Sequence, residues 1–228
     1  MSRVTLARPW LDFDLGEEMQ VLSWAVNRPG LVLARHVLWR EVRNADLPPD
    51  RDVNDWLATE LQGRNAAQAV TFLTSRDLRF FAENHAVAGD IKAHAVATVG
   101  FSNAERVGHR VDRRGKDWGT INVALRLNTG LTEPALIELM SIAVEARTAA
   151  VIDAQWPLPL NNAVNLASSM ATGTGTDCVA VASPRGQTKY AGLHTDIGEA
   201  AGCAVYDAVL EGAQEWIAQD KLRDAPSV

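Results

Sequence analysis

The segment TINVALRLN, residues 120 to 128, constrains the fold more than any other part of the chain. Ile121, Val123, Leu125 and Leu127 fall on one side, while Asn122, Ala124, Arg126 and Asn128 fall on the other. That is the two-residue period of a half-buried strand, not the 3.6-residue period of a helix. One face therefore needs apolar cover and the other is predicted to be polar, with Asn122 on it. The cover is encoded downstream. Residues 133 to 153 predict a helix with Thr132 as N-cap, Pro134 in the first turn and Leu136, Leu139, Met140, Ala143 and Ala150 along one stripe. Residues 197 to 219 predict a second long helix whose stripe runs through Ala201, Val205, Ala208, Gly212 and Trp216, with Gly198 and Gly202 open to another backbone.

The N-terminal half adds more strand. Within residues 1 to 45, Leu11, Phe13 and Leu15 alternate with Asp12 and Asp14. The prolines of NADLPPDRD then make a loop, and DVNDWLATELQ predicts a short helix with Val53, Trp56, Leu57 and Leu61 on one face. Strand resumes at AVTFLT and IKAHAVATVGF. Strands and helices alternate irregularly, so the expected class is α+β, or a mixed-sheet α/β sandwich, in a single domain over 1–228.

Composition limits what such a domain can do. A formal net charge of -6, without any block of lysine or arginine, offers no surface for neutralising phosphates and argues against nucleic acid. Mean hydropathy is -0.09 and no apolar run approaches the roughly 18 residues of a membrane helix. Pro9, Asp12 and Asp14 interrupt any secretory core, so a cytoplasmic location without membrane association is expected. Cys178 and Cys203 sit among apolar residues and are expected to be buried thiols rather than a disulfide. No metal site is expected: HExxH and paired cysteines are absent, and His85, His94, His109 and His194 are scattered.

Two polar loops stand out. GTIN at 119 to 122 and GTGTD at 173 to 177 share one build: a glycine-threonine turn, then an amide or carboxylate, then a strand. An internal repeat and a recurrence of turn chemistry both account for it. Neither has a phosphate-loop pattern. Asp177 is either a turn residue or a carboxylate at a strand mouth. His194 in YAGLHTDIGE is a structural histidine or a proton-transfer group, and Asp196 with Glu199 forms a capping-box pattern that competes with a catalytic reading of Glu199. Asn103 and Asn122 tie loops together or pair with an amide, and Trp118, one of seven tryptophans, offers a platform for a planar ligand.

Taken in order, TVGFSNAERVG (98–108), GTINVALRL (119–127), EARTAAVID (145–153), ATGTGTDCVAVA (171–182) and YAGLHTDIGEAAG (190–202) resemble the adenosylcobinamide amidohydrolase family of corrinoid salvage. The likeness covers roughly residues 20 to 215, with Arg147 where lysine is usual and Leu193 where threonine is frequent. The resemblance implies hydrolysis of the amide between the aminopropanol arm and the corrin propionate, with a corrinoid as substrate and no further cofactor. The Gly-Thr loop would then hold an amide-rich substrate, with Asn103, Trp118, Thr120, Asn122, Thr174, Gly175 and Thr176 as its contacts. Amide hydrolysis needs a proton carrier and an oxyanion site. Those roles fall to His194 with Asp177, to Glu199 as the alternative proton carrier, and to the N–H groups of residues 174 to 176 with the Asn122 amide. Two competing readings are a corrinoid-binding protein without hydrolytic activity and a hydrolase with one metal ion held by Asp177, His194 and Glu199. Either fits a monomer or a homo-oligomer.

Overall fold

The structure, a computed structural model, describes residues 3–43, 45–48, 50–109, 119–158 and 170–223. Trp118 lies outside the described residues. Ten strands and three α-helices are formed among them: β1 (Val4–Ala7), β2 (Trp10–Ser23), β3 (Gly30–Glu41), α1 (Val53–Gly63), β4 (Val70–Thr74), β5 (Ala82–Ala88), β6 (Ile91–Val99), β7 (Ala104–Glu105), β8 (Ile121–Leu127), α2 (Glu133–Asp153), β9 (Gly173–Thr174), β10 (Cys178–Ser183) and α3 (Asp196–Arg223). Eight strands make one mixed sheet in the order β4-β3-β2-β10-β8-β6-β5, with β1 added to β2, and β7 and β9 pair separately. The α+β class read from sequence is the class observed.

The sheet bends because β2 is interrupted. Between Asp14 and Met19 it advances five residues while β3 moves only from His36 to Ala34. Gly16 takes φ +89° inside this bulge, where other residues are strained. The first half of β2, with β1, β3 and β4, thereby packs across the face of β6, β8 and β10: the Phe13 and His94 rings lie 4.6 Å apart, and Arg126 Nε donates to the Leu15 carbonyl at 2.8 Å.

Both faces of β8 are consequently buried, and here the sequence expectation needs correcting. Ile121, Val123, Leu125 and Leu127 pack under α2 and α3 as predicted. On the opposite face Ala124 joins Phe13, Leu15, Trp39 and Phe72 in a second core, and Asn122 is 1% exposed. Its Nδ2 donates to the Leu73 carbonyl at 2.8 Å, so the amide fastens β8 to β4 instead of facing ligand. A strand that alternates polar and apolar residues normally has one wet face. The bend in β2 covers it.

The helices follow their stripes. Leu136, Leu139, Ala143 and Ala150 of α2 meet Ala201, Val205, Ala208 and Trp216 of α3 and the sheet, and α1 places Leu57 and Leu61 against Trp10 and Leu38. Helix α3 begins one residue earlier and ends four residues later than 197 to 219. Its cap is Thr195, whose Oγ1 accepts from the Gly198 N–H at 3.0 Å, so the Asp196–Glu199 box is one residue out of register and both carboxylates lie in the first turn. Of the two glycines, only Gly198 sits tight against backbone, at Gly192; Gly202 has no neighbour nearer than ordinary contact. Both cysteines are free thiols, Cys178 buried as expected and Cys203 exposed, contrary to expectation. Among the described residues, no helix is long and apolar enough to cross a membrane.

Candidate functional site

Strands β8 and β10 run parallel with Asn122 opposite Cys178, so the two Gly-Thr loops preceding them lie side by side. Thr176 Oγ1 donates to the Gly119 carbonyl at 2.7 Å and accepts from Asn103 Nδ2 at 3.2 Å. The buried Thr120 hydroxyl lies within 3.0 Å of both Asn122 Oδ1 and the Thr176 carbonyl. The likeness between GTIN and GTGTD reflects two neighbouring strands that start from one shared platform.

Asp177 closes that platform. Its Oδ1 accepts from the Ile121 N–H at 3.0 Å and from the Thr174 hydroxyl; Oδ2 accepts from the Thr174 N–H at 3.0 Å and forms an ion pair with Arg147 of α2. Burial pushes the Asp177 carboxyl above the ordinary carboxylate range, and the Arg147 guanidinium and the Thr174 and Ile121 donors pull against that shift. Four contacts occupy the two oxygens of the Asp177 carboxyl, which ties the loop to β8 and to α2. The pair also explains the first glycine of the loop. A Cβ on Gly173 would collide with both the Arg147 guanidinium and the Asp177 carboxylate.

A cleft of about 740 Å³ opens above this pair, between the Gly-Thr loop, residues 105 to 109 and the C-terminal half of α2. Its walls include Trp24, Glu105, His109, Arg147, Thr174 and Gly175. The volume is in the range of small-molecule sites. Trp24 is 47% exposed, and its Nε1 donates to the Asp177 carbonyl at 2.7 Å, so the ring is pinned with much of its surface open. Arg147 Nε and Asn103 Oδ1 are buried, with no hydrogen-bond partner among the described residues.

The predicted site residues divide into three groups. Asp177, Thr174 and Gly175 line the cleft; Thr120, Thr176, Asn103 and Asn122 hold its platform from behind. His194 and Glu199 lie elsewhere. They follow the far end of β10, beyond Ser183, where Leu131 N–H donates to the Pro184 carbonyl and Thr132 N–H to that of Thr188. Six residues of strand separate that end from Asp177, about 20 Å at 3.3 Å per residue. Both side chains are exposed there. The joint Asp177–His194 arrangement, and the metal site of Asp177, His194 and Glu199, are therefore not formed. The N–H groups proposed for an oxyanion are also engaged: that of Thr174 by Asp177, that of Gly175 by the Asn103 carbonyl at 3.4 Å and that of Thr176 by Thr174 Oγ1 at 3.4 Å.

Glu105, Trp24, Arg147 and His109 were not among the expected contacts. A single arginine continuing the apolar stripe of α2 was the available signal for Arg147, since such a charge requires a buried partner.

A profile of the family described as CbiZ, adenosylcobinamide amidohydrolase, matches residues 2–221. The chain belongs to the adenosylcobinamide amidohydrolase family. One relative, the uncharacterized protein MJ1613 of Methanocaldococcus jannaschii, is 33% identical over 111 residues, which are 46% of this chain and 38% of that protein. The chain thus matches well under half of that relative's length. Among solved structures, the PH0078 protein of Pyrococcus horikoshii OT3 is similar with a TM-score of 0.42 and 8% identity, over 89% of this chain and 76% of that one.

Proposed function

We propose that this chain hydrolyses the amide between the aminopropanol arm and the corrin propionate of adenosylcobinamide, giving adenosylcobyric acid and the free amino alcohol, at the cleft above Asp177. The observation that carries the proposal is a convergence. Four of the five segments that carry the family likeness meet at this one end of the sheet: 98–108 through Asn103 and Glu105, 119–127 through Thr120 and the Ile121 N–H, 145–153 through Arg147, and 171–182 through the Gly-Thr loop. Within the cleft, Glu105 takes the proton from an attacking water and returns it to the departing amine. The Arg147 guanidinium in the cleft wall offsets the charge that develops on the carbonyl oxygen. Trp24 offers the substrate a ring contact.

The test is incubation of the purified protein with adenosylcobinamide, followed by mass spectrometry. The expected products are adenosylcobyric acid and aminopropanol. Tight corrinoid binding without either product would favour a binding protein instead. Full activity after exhaustive chelation would place the chemistry on the side chains of the cleft.

A further inference from the structure

We propose that Glu83, His85 and His94 form a binding site for one divalent ion of the zinc class, on the β5–β6 hairpin and apart from the amide cleft. Scattered in sequence, the two histidines become direct neighbours through the hairpin. A two-residue turn at Gly89 and Asp90 pairs Ala88 with Ile91, and the same register sets His85 opposite His94. Glu83 precedes His85 by two residues and so projects from the same face of β5.

The donor atoms converge. Glu83 Oε1 lies 2.7 Å from His94 Nε2 and 3.6 Å from His85 Nε2, the imidazoles stack with centroids 3.9 Å apart at 27°, and the three donor atoms lie within 4.8 Å of one another. Ligand atoms about 2.0–2.2 Å from a tetrahedral zinc ion stand about 3.3–3.6 Å from each other. The Glu83–His85 separation already has that value and the Glu83–His94 separation is shorter, so modest side-chain rotation admits an ion in place of the shared proton. Two imidazoles and one carboxylate suit zinc, nickel, cobalt or copper, whereas magnesium and calcium prefer all-oxygen sets. Three protein ligands leave the fourth position to water.

The surroundings fix the ring of His94. The residue is 5% exposed and Phe13 packs edge-on against it. Arg126 and Arg3 are the opposing cations. Both point at backbone, Arg126 at the Leu15 carbonyl and Arg3 at that of Asp14, and the Glu83 carboxylate offsets part of their field at the ion. The location indicates the role. His94 is five residues along β6 from Val99, the residue paired with Ile121 beside the cleft, or about 17 Å at 3.3 Å per residue. An ion there fastens the edge strand β5 to its neighbour and does not touch the amide.

The full chain, stripped with a chelator and dialysed, is titrated calorimetrically with zinc chloride and with magnesium chloride, and cobalt binding is followed by its visible absorption. The expected result is one zinc per chain, no magnesium binding, and a cobalt spectrum of tetrahedral type. His85→Ala and Glu83→Gln change exposed or half-buried groups and are expected to leave the metal-free melting temperature unchanged while weakening zinc binding at least tenfold. Absence of saturable zinc binding, or affinity in His85→Ala within threefold of the unaltered chain, would overturn the proposal. None of these outcomes depends on whether the chain hydrolyses adenosylcobinamide.

Discussion

The two ends of strand β10 begin from similar chemistry and finish very differently. At one end stands GTGTD, at the other LHTDIGE, and each offers threonine, aspartate and glycine within a few residues. The first becomes a closed network: Asp177 is filled by Arg147, Thr174 and the Ile121 N–H, and the loop is bonded to Asn103 and Gly119. The second becomes an exposed helix start, in which Thr195 caps α3 and Asp196 and Glu199 favour its N-terminal dipole. What separates them is the neighbouring helix. Residue 147 of α2 presents a buried guanidinium to the Asp177 end. At the other end α2 gives Glu138, whose Oε2 accepts from the Ala191 N–H at 2.6 Å and leaves His194 untouched.

The largest contrast is expected in the thiols. Burial pushes Cys178, next to Asp177, up to about 12, whereas Cys203, two turns into α3, is exposed. Against an ordinary thiol near 8.5, Cys178 should be labelled on the order of a thousandfold more slowly at pH 8. One fast equivalent in the native protein and two in denaturant are expected. Equal rates for both would mean that the start of β10 is open to solvent.

Next in size is Arg147→Ala. It leaves the Asp177 carboxylate buried without its counter-charge, which costs about 3–5 kcal/mol when such a pair is broken. The side chains are 12% and 8% exposed, so solvent screening does not shrink that figure greatly. A fall in the denaturation midpoint is expected together with loss of turnover. A stability change under about 1 kcal/mol would reduce the pair to a surface contact.

Glu105→Gln acts on the same side, at the cleft wall. The change keeps the shape of a half-buried side chain, so the midpoint should hold while kcat falls on the order of a hundredfold, the scale of a lost general base. Near-normal kcat would move the proton transfer to His109 on the same cleft wall.

How much of this was legible depends on whether the deciding contact was local. Helix α2 was bounded correctly at 133 and 153 because proline, the N-cap and a regular stripe are all written within it. The burial of Asn122 was not legible, because it comes from a bulge in β2 about a hundred residues earlier that bends another strand over it. Asp177 was singled out from its loop, but its partner Arg147 lies thirty residues away, and pairing at that range leaves no periodic trace. The histidines of the hairpin looked scattered because strand register, not spacing, joins them.

The smallest effects should come from the far end of β10, and they test the comparison most directly. Thr195→Ala removes the hydroxyl that accepts from the Gly198 N–H, so about 1 kcal/mol of stability should be lost, with kcat unchanged. His194→Gln should do less still. Its side chain is exposed, it packs on neither core, and about 20 Å of strand separates it from the cleft, so both stability and kcat/KM should stay within about twofold. A hundredfold loss in His194→Gln at unchanged stability would reverse the assignment of the two ends. It would mean that the substrate spans β10 or that a second chain brings its own residue 194 to the cleft. Mixing His194→Gln with Arg147→Ala chains separates those cases: activity regained in the mixture requires a shared site, and activity absent from it requires one chain to supply both ends.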